Sequence, residues 1–362
     1  MMLQEVLFRL VRAGLDLGGG EPATDSAPFV SAPDWKWIYK MSARQGVLAI
    51  AYDGLGALIK AGVIPAECQP DRSLKLQWGF NVVEIEKRFA HQQQVAVELA
   101  KIFADQHIRT VVLKGLAVAE YYPRANHRPC GDLDCYLMGE YERGNQICET
   151  IHADVKRDYY KHSHIVYKGL TIENHQFCTA IRGSKRAKDF ERELHRLLPA
   201  DATRPICNSP LEQPDALFTA LFLTIHAWGH FLTEGVALRH LIDWMMLLEK
   251  FEQDIDWTRF RTIAAARDEG MLRFSESMTS LAHYVAGTSK TLSETDQKLL
   301  HSILFDQDKI NNKGYSAWMG RVMLVRNALL SDWKYKAFSE QSAFGKTLNN
   351  IWSFIVERNP HL

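Results

Sequence analysis

The chain has 362 residues, with 43 Lys and Arg matched by 43 Asp and Glu, and 46% of its residues are apolar. That mixture suits globular modules able to bury a large core unaided, and it excludes wholesale disorder. A formal charge of zero argues against long nucleic acid as a partner, since that affinity comes from neutralising phosphates, and leaves room for a local patch serving a small anion.

Six cysteines (Cys68, Cys130, Cys135, Cys148, Cys178, Cys207) form no CxxC pair. This argues against a zinc ribbon and suits free thiols in a reducing, cytoplasmic setting. In chain order the first element is MMLQEVLFRLVRAGLDL. Glu5, Arg9 and Arg12 interrupt it, while Leu3, Val6, Leu7, Leu10 and Val11 recur at helical spacing. It reads as an amphipathic helix packed on the body rather than a leader. The stretch GGGEPATDSAP, residues 18–28, is a loop by composition. Helical patterns run on to Gly62 and Pro65. A long one follows from about Ser73 to Gln106, with Trp78, Val82, Phe89, Val95, Leu99 and Phe103 on one stripe. No uncharged apolar run approaches the roughly 20 residues needed to span a bilayer, so no membrane is expected.

The texture changes at Arg109. RTVVLKG is a short β-branched run ending in glycine and predicts a buried strand. LAVAEYYP predicts a short helix, GDLDCYLMG a strand, and RGNQICETIHA a helix. DYYKHSHIVYKGLTIENHQFC predicts a hairpin turning at Lys168-Gly169. SKRAKDFERELHRLL returns to helix, and from Asp215 onward the pattern is helical. The expected class is α+β: N-terminal helices over 1–106, a small mixed-sheet core over 107–200, and a helical C-terminal region over 201–362.

The chemistry concentrates in TVVLKGLAVAEYYPRANHRPCGDLDCYL. Strand residues two apart share a face, so Asp132 and Asp134 project together while Leu133 and Cys135 point into a core. Two adjacent carboxylates repel unless something positive lies between them, and hard oxygen ligands suit Mg2+ or Mn2+. A strand opening at a polar turn, with both acids solvated, gives the same short pattern. Context adds weight to the metal reading. Lys114-Gly115 delivers a cation and free backbone N–H groups to the start of a helix. Arg128 and Gly131 lie close by in sequence, and the strand LTIENHQF places Glu173 on one face with His175. A third carboxylate on a neighbouring strand completes a cluster of the kind that serves phosphoryl transfer.

These residues resemble the DNA polymerase β-like nucleotidyltransferase superfamily, whose signature is a strand ending in glycine, a short helix, and Asp-x-Asp on the next strand. More narrowly, the sequence is similar to a bacterial family of uncharacterised nucleotidyltransferases. The shared pieces are Leu113-Lys114-Gly115, Tyr121-Tyr122-Pro123, Arg128, Gly131-Asp132-Leu133-Asp134, Glu173-Asn174-His175, His226 with His230, and Leu238-Arg239 with Asp243. The likeness covers about residues 80 to 250. It departs in the first turn, where Gly115-Leu116 stands in place of Gly-Ser or Gly-Gly, and the gap from Gly115 to Asp132 is slightly long.

The resemblance implies a metal-dependent transferase that moves a nucleoside monophosphate from an NTP to an acceptor hydroxyl and releases pyrophosphate. Asp132, Asp134 and Glu173 would hold Mg2+ or Mn2+. Lys114, Gly115, Arg128 and Gly131 would hold the nucleotide, and His175, His226, His230, Arg239 and Asp243 would stand behind them. The acceptor is left open among small molecules, peptides and proteins. An antitoxin-like protein AMP-transferring modifier and a degenerate, non-catalytic binding module are the alternatives.

Three local readings stay separate from the resemblance. Lys114 either emerges at the strand's end to meet phosphates or pairs with Asp132 or Glu173. His226 and His230, at i and i+4, are a structural pair, a zinc pair, or part of the cleft. Arg239 and Asp243 are most simply a helix ion pair. The basic-rich run from Arg182 to Arg196 is a solvated face, or one that helps bind an acidic acceptor.

Overall fold

The computed structural model describes residues 3–17, 29, 31–199, 202–306, 332–356 and 360–362; the loop expected over 18–28 lies outside them. Four helices open the chain: α1 (Leu3–Gly14), α2 (Trp35–Arg44), α3 (Leu48–Lys60) and α4 (Arg72–Asp105). Asp34 and Asp71 start α2 and α4 by accepting from the Trp37 and Leu74 amides, the capping expected of aspartate before an apolar periodic run. The first helix crosses α3 at backbone contact. A Cβ on Gly54 would stand 1.8 Å from the Leu10 carbonyl oxygen, so this glycine serves helix packing and no dinucleotide.

A seven-stranded mixed sheet follows, made of β1 (Thr110–Val112), β2 (Leu133–Tyr136), β3 (Asp154–Lys156), β4 (His162–Tyr167), β5 (Leu170–His175), β6 (Thr203–Pro205) and β7 (Leu211–Pro214). Its order is β3-β4-β5-β2-β1-β7-β6. Helices α5 (Leu116–Ala119), α6 (Tyr141–Thr150) and α7 (Lys185–Arg196) are interleaved with the strands. Strands β3, β6 and β7 were not expected. They are three or four residues long, and their Pro, Lys and Glu content hides the strand pattern.

The sheet separates two cores. Val112, Leu133, Cys135 and Ile172 pack with Phe89, Val95, Leu99 and Phe103 of α4. Val111, Leu113 and Tyr136 face the opposite core, shared with the N-terminal and C-terminal helices. Alternation along β2 and β5 therefore puts Asp134, Glu173 and His175 on the side of the C-terminal helices.

Those helices are α8 (Ala216–Thr233), α9 (Leu238–Phe251), α10 (Trp257–Arg267), α11 (Glu269–Ala286), α12 (Glu294–Phe305), α13 (Asp332–Phe338) and α14 (Ala343–Val356). Helix α8 corrects one expectation: its 18 uncharged residues do come close to a membrane span in length and hydropathy. It is 78% buried inside the protein, where the apolar surface meets core partners such as Phe231 on Phe274 and Phe338. The first turn of α9 is tied down by one fully buried amide. Gln45 accepts from the Leu238 N–H at 2.7 Å and donates to the carbonyls of Ile303 and Leu304, while its own carbonyl accepts from the Arg239 N–H.

Candidate active site

Parallel pairing of β2 with β5 sets Asp134 directly beside Glu173. Asp132 sits one residue ahead of β2 and turns to the same spot, so the three carboxylates each bring an oxygen within 4.8 Å of the others. Lys114, just past β1, closes the group with its ammonium 3.0 Å from Asp134 Oδ2 and 3.9 Å from Asp132 Oδ1. The lysine thus pairs chiefly with Asp134, which the sequence had not named as its partner. Burial works against the Lys114 charge, but Asp134 and Asp132 outweigh it and hold the ammonium above the ordinary lysine range.

Burial and then the Asp134 charge push the Asp132 carboxyl up. Burial opposes the Asp134 charge too, yet the His175 contact and Lys114 keep it below the usual carboxylate range. Asp134 Oδ2 is buried without an aligned hydrogen-bond donor, because Lys114 approaches it off the lone-pair direction. An orphaned oxygen among three carboxylates is the donor set a hard divalent cation fits.

Gly115 follows Lys114 at φ +64°, a left-handed conformation that glycine adopts without strain. Helix α5 behind it is a single turn, too short for the helix-end field expected from the sequence. Gly131 lines the cleft, and its carbonyl accepts from Gln92 of α4. The loop between is pinned by His127, whose two ring nitrogens meet Asp53 and Glu86 of α3 and α4.

Arg128 and Asp243 form a bidentate pair, with Nε to Oδ1 and Nη2 to Oδ2 both at 2.7 Å. Tyr122 donates its hydroxyl to the same carboxylate at 2.6 Å. This corrects the expected Arg239–Asp243 ion pair: two long side chains one turn apart lose to a fork-to-fork contact from another element. Arg239 is left exposed at the cleft mouth, with no hydrogen bond or ion pair from its guanidinium among the described residues.

His226 lines the same cleft, where burial and then Lys114 push its imidazole far down and keep it neutral. His230 turns away to Glu234, 3.2 Å distant, so the two histidines do not act as one pair. His240 is a third, unanticipated neighbour, with ring centroids 6.1 Å from His226 and 6.3 Å from His230.

Other residues of the site escaped the sequence reading. His162 and His164 of β4 lie across from His175 and Glu173, and Lys161 lies close enough to feel the Glu173 and Asp134 charges. The signal was available. A two-residue turn at Lys168-Gly169, both at positive φ, fixes the hairpin register. That register puts H-x-H directly opposite E-x-H.

The cleft offers about 70 Å³, room for an ion and a few waters. On its far side His226 also borders a cavity of about 540 Å³ walled by Tyr159, Lys161, Arg182, Trp228 and Lys346.

A family model described as an uncharacterised nucleotidyltransferase matches residues 31–287. The chain belongs to that family. Membership gives this nucleotidyltransferase a nucleotidyl-transfer function in general terms, with a nucleotide substrate and divalent-metal use. No curated protein and no solved structure matches the chain. The match takes in α2 to α11, hence the whole sheet and both helices that line the cleft.

Proposed function

We propose that the chain transfers a nucleoside monophosphate from an NTP to the hydroxyl of a small anionic acceptor, releasing pyrophosphate. The observation that carries this reading is the convergence of Asp132, Asp134 and Glu173 with Lys114 on one cleft. Divalent metal held there supplies Lewis-acid stabilisation of the charge that develops at the transferred phosphorus. The protein's own groups do the rest. Lys114, the Gly115 amide and Arg239 bind the phosphates. Glu173, kept ionised by its contacts with His162 and His175 against the cost of burial, accepts a hydrogen bond from the acceptor hydroxyl and orients it. The new bond joins the acceptor oxygen to the α-phosphorus, the bond to pyrophosphate breaks, and the hydroxyl proton leaves past Glu173. Arg128, committed to Asp243, positions the loop that carries Gly131. The test is calorimetric titration with a non-hydrolysable NTP. Binding is expected with Mg2+ and lost without it; affinity indifferent to Mg2+ would make the chain a binding module instead.

Lys114→Ala is expected to weaken NTP binding by about 1.5–3 kcal/mol, the usual worth of a hydrogen bond to a charged group. Its affinity for Mg2+ alone should not fall, since the ammonium competes with cations for Asp134. Reduced Mg2+ affinity together with unchanged NTP binding would make Lys114 a structural counter-ion. Calorimetry of both ligands on the variant decides.

The acceptor class follows from the wide cavity, whose volume lies within the roughly 300–1,000 Å³ typical of small-molecule sites. Lys161, Arg267 and Lys346 line it and meet no carboxylate at ion-pair distance among the described residues. Of the acids there, Glu234 is taken by His230, Glu340 by Arg186, and Asp268 by the Gly270 and Glu340 amides. Lys346 lies over the Trp228 ring, 4.3 Å from its centroid. Burial and then Arg267 bring its ammonium down to about 8. Its charge is therefore present below that pH and lost above it. Sulfate, whose own charge is constant across this window, is expected to bind up to about ten-fold more weakly at pH 9 than at pH 7, the worth of one charge-assisted hydrogen bond. Lys346→Met should flatten that dependence. A flat profile in the unaltered protein would sink the anionic-acceptor reading.

A further inference from the structure

The hairpin of β4 and β5 sets two histidines and a glutamate on one face. His162 Nδ1 stands 3.1 Å from Glu173 Oε2, and His175 Nε2 stands 3.4 Å from that same oxygen and 3.3 Å from Asp134 Oδ1. Donors around an ion at zinc-like bond lengths of about 2.0–2.2 Å are separated by about 3.3 Å at tetrahedral angles. The spacing of these atoms matches such a shell.

Two further observations point to a ligand. His162 is 6% exposed, and its Nδ1 is buried without a hydrogen bond, aimed into the cluster. His175 is 1% exposed, and its Nδ1 meets the Phe177 carbonyl at 3.0 Å. A carbonyl only accepts, so that nitrogen carries the proton and Nε2 turns towards the carboxylates. Metal-binding histidines are oriented in this way. By contrast, the Glu191 carboxylate near Cys178 and His195 is fully taken by the Cys178 and Thr179 amides, the Thr179 hydroxyl and His195.

We propose that His162 Nδ1, His175 Nε2 and Glu173 Oε2, with Asp134 Oδ1 beside them, bind a divalent first-row transition-metal ion. This site shares Glu173 with the all-carboxylate group but differs from it in chemistry. Imidazole suits ions of the manganese-to-zinc series, whereas Mg2+ prefers oxygen and keeps several waters that this buried corner has no surface to receive. The inference does not depend on nucleotidyl transfer.

The test uses the full chain, stripped by chelator, loaded with Mn2+ and held in millimolar Mg2+ to fill the carboxylate group. Expected is one retained equivalent of Mn2+ whose electron spin-echo modulation shows directly bound imidazole nitrogen. His162→Ala should lower Mn2+ affinity by ten-fold or more, about the least that loss of a ligand costs. His164→Ala, altering an exposed neighbour, should not change it. Asp132→Asn should keep the nitrogen-coupled ion while losing Mg2+-dependent NTP binding, which separates this site from the nucleotide reading. Absence of imidazole coupling, displacement of Mn2+ by equal Mg2+, or unchanged affinity in a folded His162→Ala protein overturns the proposal. If His162→Ala fails to fold, the spectrum of the unaltered protein decides alone.

Discussion

Asp134→Asn is expected to lower Mg2+-dependent nucleotidyl transfer by about three orders of magnitude or more, since a catalytic metal supplies several kcal/mol of charge stabilisation and each 1.4 kcal/mol is tenfold in rate. Of the three carboxylates, Asp134 is the most buried and the most shared. One oxygen faces His175, the other faces Lys114 without an aligned bond, and its backbone is held in β2 opposite Glu173. An amide of the same shape keeps the packing but offers one oxygen and no charge. The fold should survive. The substitution removes one of three clustered negative charges, so relief of repulsion offsets the lost attraction to Lys114. Steady-state transfer and circular dichroism melting on the same sample check both halves. Transfer at the unaltered rate would remove Asp134 from the chemistry.

The second large effect concerns stability. Arg128→Ala is expected to destabilise the protein by about 3–5 kcal/mol, because it strands the Asp243 carboxylate, 4% exposed, without its counter-ion. Asp243→Ala should cost about as much for the mirrored reason. The double variant Arg128→Met, Asp243→Leu should recover much of the loss, since apolar replacements leave no buried charge behind. Urea unfolding of the three variants gives the coupling directly. Additive losses would show that the pair is not a unit. Nucleotide affinity should fall in the single variants, for Asp243 is one turn along α9 from Arg239 and Arg128 is two residues from Cys130 in the loop leading to Gly131.

Much of the sheet was legible because its central strands carry strong local signals. The β-branched run at Thr110–Val112, the alternation at Leu133–Tyr136 and the turn at Lys168-Gly169 lie where the sequence places them. Pairing was less legible. That β2 lies parallel to β5 rather than beside its sequence neighbour follows from an excursion through α6 and the β3–β4 pair, which no local pattern encodes. The three carboxylates were legible from residue type and alternation. Arg128 was misjudged for a different reason. Its partner Asp243 lies 115 residues away, and an arginine with a suitable helical neighbour looks the same in sequence whether it reaches a phosphate or a buried aspartate. His162 and His164 sat in plain view within a hairpin already drawn, and counting residues outward from its turn would have placed them against Glu173 and His175.

Gln45 bears on the order in which this protein becomes functional. The amide fastens the start of α9 to segments at both ends of the chain, with the Leu238 contact bridging 193 residues and the Ile303 contact 258. Long loops must close before such contacts form, so they arrive late in folding. The sheet and its carboxylates assemble from residues 110 to 214, while the wall bearing Arg239 is seated only after the remote helices have docked. A nascent or partly refolded chain therefore displays the acidic cluster before it has the wall that covers it. During that interval the cluster lies open to any cation in the surroundings, and docking of α9 then closes over the ion that has arrived.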